Sequence, residues 1–200
     1  MENSARLEES PRKKIKLAQT RGLDVMIDIE TLSTNYDAAL LSIAAVKFNP
    51  FDKTEALYEE FQIFVDIEDC KDKGCTISED TMTWWQTQPE EVRKINFESQ
   101  PRLSLTEALS QLSSFCRGVK RYWCQGMNFD PIVLENAYKI VGLKPEWKFW
   151  EWRDSRTVSR LIHFTNIPKK PKNAHTAIED CNYQIRVVQT VFEKLSIKHA

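Results

Sequence analysis

The sequence predicts an α/β domain: a mixed central sheet, three antiparallel strands and then two further strands, flanked by helices. Three observations carry this. Between residues 23 and 67 the chain falls into three apolar extended runs joined by short links, which suits an antiparallel meander better than crossovers. Beyond them, helical stretches alternate with two short extended pieces. The last stretch, from residue 175 onward, carries the one-sided apolar stripe of a helix packed on a sheet. With 200 residues, 42% of them apolar and 28% charged, the chain is large enough for one domain with its own core.

In order, residues 1–21 are polar, lack a sustained amphipathic period and form an expected flexible tail. Within them PRKKIK, from Pro11 to Lys16, is a compact basic cluster. It suits an import signal, an electrostatic arm for nucleic acid, or a solvated tail. Residues 22–197 form the single folded domain. Its first strand is LDVMIDIE at residues 23–30, the second AALLSIAAVKFNP at 38–50, closed by an Asn-Pro turn signal. The third is ALYEEFQIFVDI at 56–67, with Leu57, Phe61, Ile63 and Val65 as its apolar members.

The helices follow. Ser78 is an N-cap candidate for SEDTMTWWQTQ, and Pro89 a first-turn residue for PEEVRKINF. Leu105, Leu109, Leu112 and Phe115 recur at helical spacing, and Gly118 marks the stop. KRYWCQG is the fourth predicted strand, and NFDPIVLENAYKIVGL a helix with Asp130 and Pro131 at its start and Gly142 near its end. An extended piece near residues 150–153 leads into DSRTVSRLIHF, a predicted helix. In the last helix Ile178, Cys181, Ile185, Val188, Phe192 and Leu195 form the buried stripe.

The net charge of −1 excludes a global positive field, so a polyanionic partner needs local basic patches or metal ions. No run of about 18 apolar residues is present, and the first residues lack the apolar core of a secretory signal. The expectation is no membrane and an intracellular, cytoplasmic protein, nuclear if the basic cluster acts in a eukaryotic host. Five scattered cysteines suit reduced thiols. Cys70 and Cys75 have no second Cys or His pair at zinc-ligand spacing.

The first strand raises the functional question. In MIDIETLST, Asp28 and Glu30 are two apart, so both project from one face beside Met26 while Val25, Ile27 and Ile29 share the other. Two like charges on a core strand cost several kcal/mol unless compensated. Hard oxygen ligands suit Mg²⁺ or Mn²⁺, and a pair of such ions about 3.5–4 Å apart serves phosphodiester chemistry. That chemistry calls for about four carboxylates. Asp130 in QGMNFDP stands where a strand gives way to a helix, and Asp180 in HTAIEDC stands in the first turns of the last helix, five residues after His175.

Taken together, D-x-E on the first strand, F-D at a helix start and H-x4-D opening the last helix resemble the DEDDh 3′–5′ exonucleases. Those enzymes have the ribonuclease-H-like fold of polymerase proofreading subunits. The words MIDIETLST, TMTWWQTQPEEVR, WCQGMNFD, WRDSRTV and HTAIEDC look like a phage- and prophage-associated branch that includes exonuclease A and exonuclease VIII-like or exoribonuclease-like domains. Cys124 stands where the resemblance implies Gly or Ser after Trp123.

The resemblance implies that Asp28, Glu30, Asp130 and Asp180 bind two Mg²⁺ or Mn²⁺ ions and that His175 is the general base, with Glu30 also catalytic. The implied reaction is hydrolysis of the terminal phosphodiester of single-stranded or overhanging DNA or RNA with a free 3′ end, releasing nucleoside 5′-monophosphates. Thr31 and Leu32 would contact the terminal nucleotide, Leu32 as a wedge. Asn128, Arg153 and Lys172 are further candidate substrate contacts, with Lys169 and Lys170 beside the last. Arg153 and Asp154 also suit a structural salt bridge. Trp84 and Trp85, about 100° apart on a helix, cannot share an orientation. One belongs in the core, and Trp85 is taken as the stacking face for a base. Dimers are common among such enzymes, which leaves monomer and homodimer open. Two competing functions remain: an inactive nucleic-acid-binding module, and another two-metal enzyme such as a ribonuclease-H-like endonuclease.

Overall fold

The computed structural model of the protein describes residues 24–53, 59–170 and 175–198. The N-terminal tail, its basic cluster, Leu57 and Lys172 lie outside the described residues. Six strands form one sheet: β1 (Asp24–Thr31), β2 (Leu40–Phe48), β3 (Glu59–Val65), β4 (Arg102–Leu103), β5 (Arg121–Cys124) and β6 (Trp152–Asp154). Their order is β4-β3-β2-β1-β5-β6. β1 to β3 pair antiparallel, and β5 and β6 extend the sheet in parallel beyond β1. The expected mixed sheet is therefore present. β4 is an addition, too short at two residues to show any periodicity.

The helices are α1 (Ile67–Asp72), α2 (Glu79–Gln86), α3 (Glu90–Glu98), α4 (Leu105–Phe115), α5 (Asp130–Ile140), α6 (Ser155–Ser159) and α7 (Ala177–Lys194). Ser78 caps α2 by accepting the Thr81 N–H. Ser104 caps α4 in a reciprocal pair with Glu107. Pro89 sits one position earlier than expected, at the N-cap of α3. The helix expected over DSRTVSRLIHF is shorter: α6 ends at Ser159, because its turns find no continuous apolar surface and Leu161 stays exposed. Leu195 likewise falls at the C-cap of α7 and is exposed, so the buried stripe stops at Phe192.

β1 is central, with hydrogen-bonded neighbours on both sides, and its two faces enter different cores. Val25, Ile27 and Ile29 pack with Leu109 and Leu112 of α4, Leu134 and Tyr138 of α5, and Trp85 of α2. Met26 packs on the opposite side with Ala44, Val46, Trp123 and the stripe Cys181, Ile185, Val188 and Phe192 of α7. Period-two alternation thus sends Asp28 and Glu30 toward the α7 layer. Their cross-strand partners on β2 are the small Ala44 and Ser42, which leave room beside the carboxylates.

The buried start of β1 is held by charge. Asp24 accepts hydrogen bonds from the Arg121 guanidinium, at 2.6–2.9 Å, and from Trp123 Nε1 at 2.7 Å. The far end is held by Trp85, whose indole Nε1 donates to the Thr31 carbonyl at 3.0 Å and which is only 2% exposed. Replacing Trp85 with Ala is expected to destabilise the fold by about 3–5 kcal/mol, through cavity and transfer terms. Trp85→Phe is expected to cost about 1–3 kcal/mol, mainly the unsatisfied Thr31 carbonyl. Urea unfolding of the two variants beside the parent measures both.

Candidate active site

Four carboxylates meet at the end of β1. Asp28 and Glu30 come from the strand, Asp180 from the first turn of α7 and Asp130 from the first residue of α5. They line one cavity of about 190 Å³ together with Gln125, Phe129, Lys170, His175 and Gln184. The placement of Asp130 has a backbone cause. β5 stops pairing with β1 at Met26, and beyond that point the Asp130 carboxylate accepts the Ile29 N–H.

The electrostatics are those of an under-neutralised cluster. Burial pushes the Asp28 carboxyl well above the ordinary range, aided by Asp130, Glu30 and Asp180. Burial, then Asp180 and Asp130, push Glu30 up to about 8, against a partial correction from Lys170. Asp130 rises to about 7, mainly through burial. Lys170, whose Nζ is 3.4 Å from Asp180, is the cation of the lining. Gln184, one turn beyond Asp180 on α7, donates to Asp28 at 2.8 Å. Its buried Oε1 has no partner among the described residues. A set of hard oxygen donors carrying more negative charge than one lysine neutralises fits divalent cations of the Mg²⁺ or Mn²⁺ type. Ligand atoms of Glu30, His175 and Asp180 lie within 4.8 Å of one another.

His175 is held in place from two sides. It adopts a left-handed backbone, φ 72°. Its N–H donates to Asp180 at 2.7 Å, and its carbonyl accepts from Asn96 Nδ2 at 2.8 Å. Asn96 is itself anchored to Ser42 Oγ on β2. Burial and the nearby Lys170 lower the His175 pKa, which keeps the ring neutral and able to accept a proton near pH 7.

Several expected substrate residues are placed elsewhere. Trp85 is a core residue, so the stacking assignment is corrected: Trp84 is the outward one, 41% exposed, with its ring edge-on to His175 at 5.1 Å. Leu32 is 1% exposed and packs in the core, because the chain turns inward after β1, so it offers no wedge here. The Thr31 hydroxyl is committed to the Ser33 carbonyl at 2.7 Å. Arg153 folds back onto the carbonyls of Trp150 and Trp152 and does not line the cavity.

Asp154 caps α6 and accepts the Gly126 N–H. It makes no salt bridge with Arg153 among the described residues; it fixes the 125–128 loop. Asn128 is exposed on that loop, outside the cavity lining. Arg156, unforeseen in the sequence, donates to the Gln125 carbonyl at 3.2 Å. It lies 3.6 Å from where a Cβ on Gly126 would stand, and φ +122° at Gly126 favours glycine there. Gln184 had a signal, its four-residue step from Asp180; Asn96 had none.

A family model described as the 3′–5′ exoribonuclease Rv2179c-like domain matches residues 23–192. The chain belongs to that family. It is therefore a nuclease of the 3′–5′ exonuclease kind, and the expected resemblance is borne out. An exodeoxyribonuclease of Enterobacteria phage T4 is 26% identical over 201 residues, covering 83% of this chain and 87% of the relative.

The fold is shared more widely. The zinc-bound complex of E. coli ExoI with single-stranded DNA aligns with TM-score 0.59 at 14% identity, over 88% of this chain and 41% of that one. Exonuclease X with 5′-overhanging duplex DNA aligns at TM-score 0.52 and 15% identity, over 86% and 93%. The RNase domain of yeast Pop2 aligns at 0.57 and 10%, over 93% and 83%. This chain spans about two-fifths of the ExoI chain. These likenesses show a ribonuclease-H-like sheet.

The raised carboxyl pKa values set a pH dependence. The folded chain holds protons on Asp28, Glu30 and Asp130 that the unfolded chain releases. That stability is fully present below the unfolded carboxylate range and is lost as pH rises through about 7 for Asp130 and about 8 for Glu30. In EDTA the melting temperature is therefore expected to fall between about pH 5 and 8. Mg²⁺ or Mn²⁺ should reverse the fall, and Asp28→Asn should raise the metal-free value while shrinking the metal response. Thermal denaturation across a pH and metal grid reads this; a flat, metal-independent profile contradicts the site.

Proposed function

We propose that the chain hydrolyses the terminal phosphodiester bond at the 3′ end of single-stranded or overhanging nucleic acid, releasing nucleoside 5′-monophosphates. Two divalent cations, Mg²⁺ or Mn²⁺, are its cofactors. The observation that carries this is an anchored His175 lining the same small cavity as four crowded carboxylates. Asp28, Glu30, Asp130 and Asp180 are the groups that hold the ions. When bound, such ions lower the pKa of water and neutralise charge on the phosphate and the leaving oxygen.

The chain's own residues do the rest. His175 takes the proton of the attacking water at a ring nitrogen, a general-base contribution of about 10²–10⁴-fold. Asp180 and Asn96 keep its backbone in register. Lys170 offsets phosphate charge at the cavity edge, and Trp84 presents the face on which the last base stacks, worth ~1–3 kcal/mol.

The test uses 5′-labelled DNA and RNA strands of matched sequence with Mg²⁺ or Mn²⁺. A ladder shrinking from the 3′ end, on either sugar, is the expected product. Internal cuts would point to the endonuclease reading, and absence of metal-dependent cutting to the inactive module. His175→Ala should lower turnover by about 10²–10⁴-fold while retaining the melting-temperature rise with metal. Near-parental turnover overturns the base assignment.

A further inference from the structure

The catalytic cavity, at about 190 Å³, holds little more than the reacting phosphate and its ions, so the strand behind that phosphate must lie elsewhere. A second groove of about 910 Å³ adjoins it and shares Gln125 and Lys170 with it. It runs between α6, the segment 160–170 and α7. Arg156, Arg160, Lys169 and Lys170 line it, and no Asp or Glu does among the described residues. Arg160 and Lys169 are exposed and make no ion pair among the described residues. In a chain of net charge −1, four cations in one groove without an acid is a local reversal of the overall balance.

Aromatic faces accompany these cations. Tyr183 lines the groove from α7. Phe164 is 74% exposed and in ring contact with His163 at 4.5 Å. An exposed Phe of that size stabilises nothing in the core and is suited to a base. Cations tracking a backbone beside aromatic platforms are what a single-stranded nucleic acid needs, irrespective of sequence.

The geometry points to this groove as the seat of the strand 5′ to the scissile phosphate. Arg160 and Lys169 contact its phosphates, and Phe164 and Tyr183 its bases. The polarity follows from the shared lining: the terminal nucleoside lies by Trp84, in ring contact with His175, and the strand leaves past Gln125 and Lys170, the residues common to cavity and groove. The inference rests on the proposed exonuclease reading and specifies which surface gives that site its hold on a long strand.

The test separates binding from chemistry. Binding of a fluorescent single strand of about 20 nucleotides is measured by anisotropy in EDTA across salt, and hydrolysis of the p-nitrophenyl ester of thymidine 5′-monophosphate is measured with Mn²⁺. Arg160→Glu is expected to weaken strand binding by ~10-fold, and Arg160→Ala to lower the salt slope by ~0.7. Both should leave hydrolysis of the ester, too short to reach the groove, at the parental rate. Phe164→Ala should weaken binding with the salt slope unchanged.

Strand binding by Arg160→Glu within twofold of the parent overturns the groove, as does a parallel loss of ester hydrolysis. A parent chain that binds the strand through Arg160 yet never shortens it supports the groove and overturns the exonuclease reading instead.

Discussion

The structure is organised around one electrostatic constraint, the crowding of four carboxylates at the end of its most central strand. Left to themselves such groups would separate into solvent. They stay together because each is seated on a rigid element. β1 is hydrogen-bonded on both sides, and the small Ala44 and Ser42 opposite Asp28 and Glu30 provide space without providing water. α7 presses its apolar stripe onto the same face, which carries Asp180 and Gln184 to the cavity. The raised carboxyl pKa values reflect the burial and mutual repulsion of this arrangement, and a divalent cation is the kind of partner that offsets it.

Around that centre the supports are polar and come from distant parts of the chain. The line from Ser42 through Asn96 to the His175 carbonyl ties the sheet to that residue, while Asp180 ties it to α7. On the other side, Asp154 and Arg156 hold the loop at Gly126 against the cavity. His175 itself sits in a left-handed conformation beside residues 171–174, which lie outside the described set. A backbone conformation of that kind at a non-glycine residue costs of order 1 kcal/mol or more, and it is maintained here by hydrogen bonds on both flanks.

The family description names an exoribonuclease and the phage relative is an exodeoxyribonuclease, so both sugars occur among the proteins this chain resembles. On the proposed reading the labour is divided: the carboxylate cavity carries the chemistry, and the adjoining groove supplies the charge that holds a strand. With no net positive charge, a basic surface beside that cavity is the economical place for it.

Much of this was legible in the sequence, for reasons that are local. Strand alternation alone put Asp28 and Glu30 on one face and their apolar neighbours on the other. Helical spacing marked the stripe of α7, capping chemistry the start of α2, and the Asp130-Pro131 step the start of α5. Asp130, His175 and Asp180 were found as motif members, and all three line the cavity. Where the reading went astray, the deciding contact was remote. Both Trp84 and Trp85 satisfy the same local pattern, and the Thr31 carbonyl, 54 residues away, selects Trp85 for the core. Leu32 enters the core because the chain turns inward after β1, and Arg153, within β6, reaches back to the carbonyls of Trp150 and Trp152.

What the sequence determined by itself was therefore the faces: which side chains share a side of each strand and helix, since that follows from periods of two and 3.6 residues. What only the tertiary structure decided was what meets each face. Gln184 against Asp28, Asn96 behind His175, and Arg156 beside Gln125 all pair residues far apart in the chain. No local period encodes them, because their proximity exists only once the sheet has ordered its strands and α7 has closed over β1.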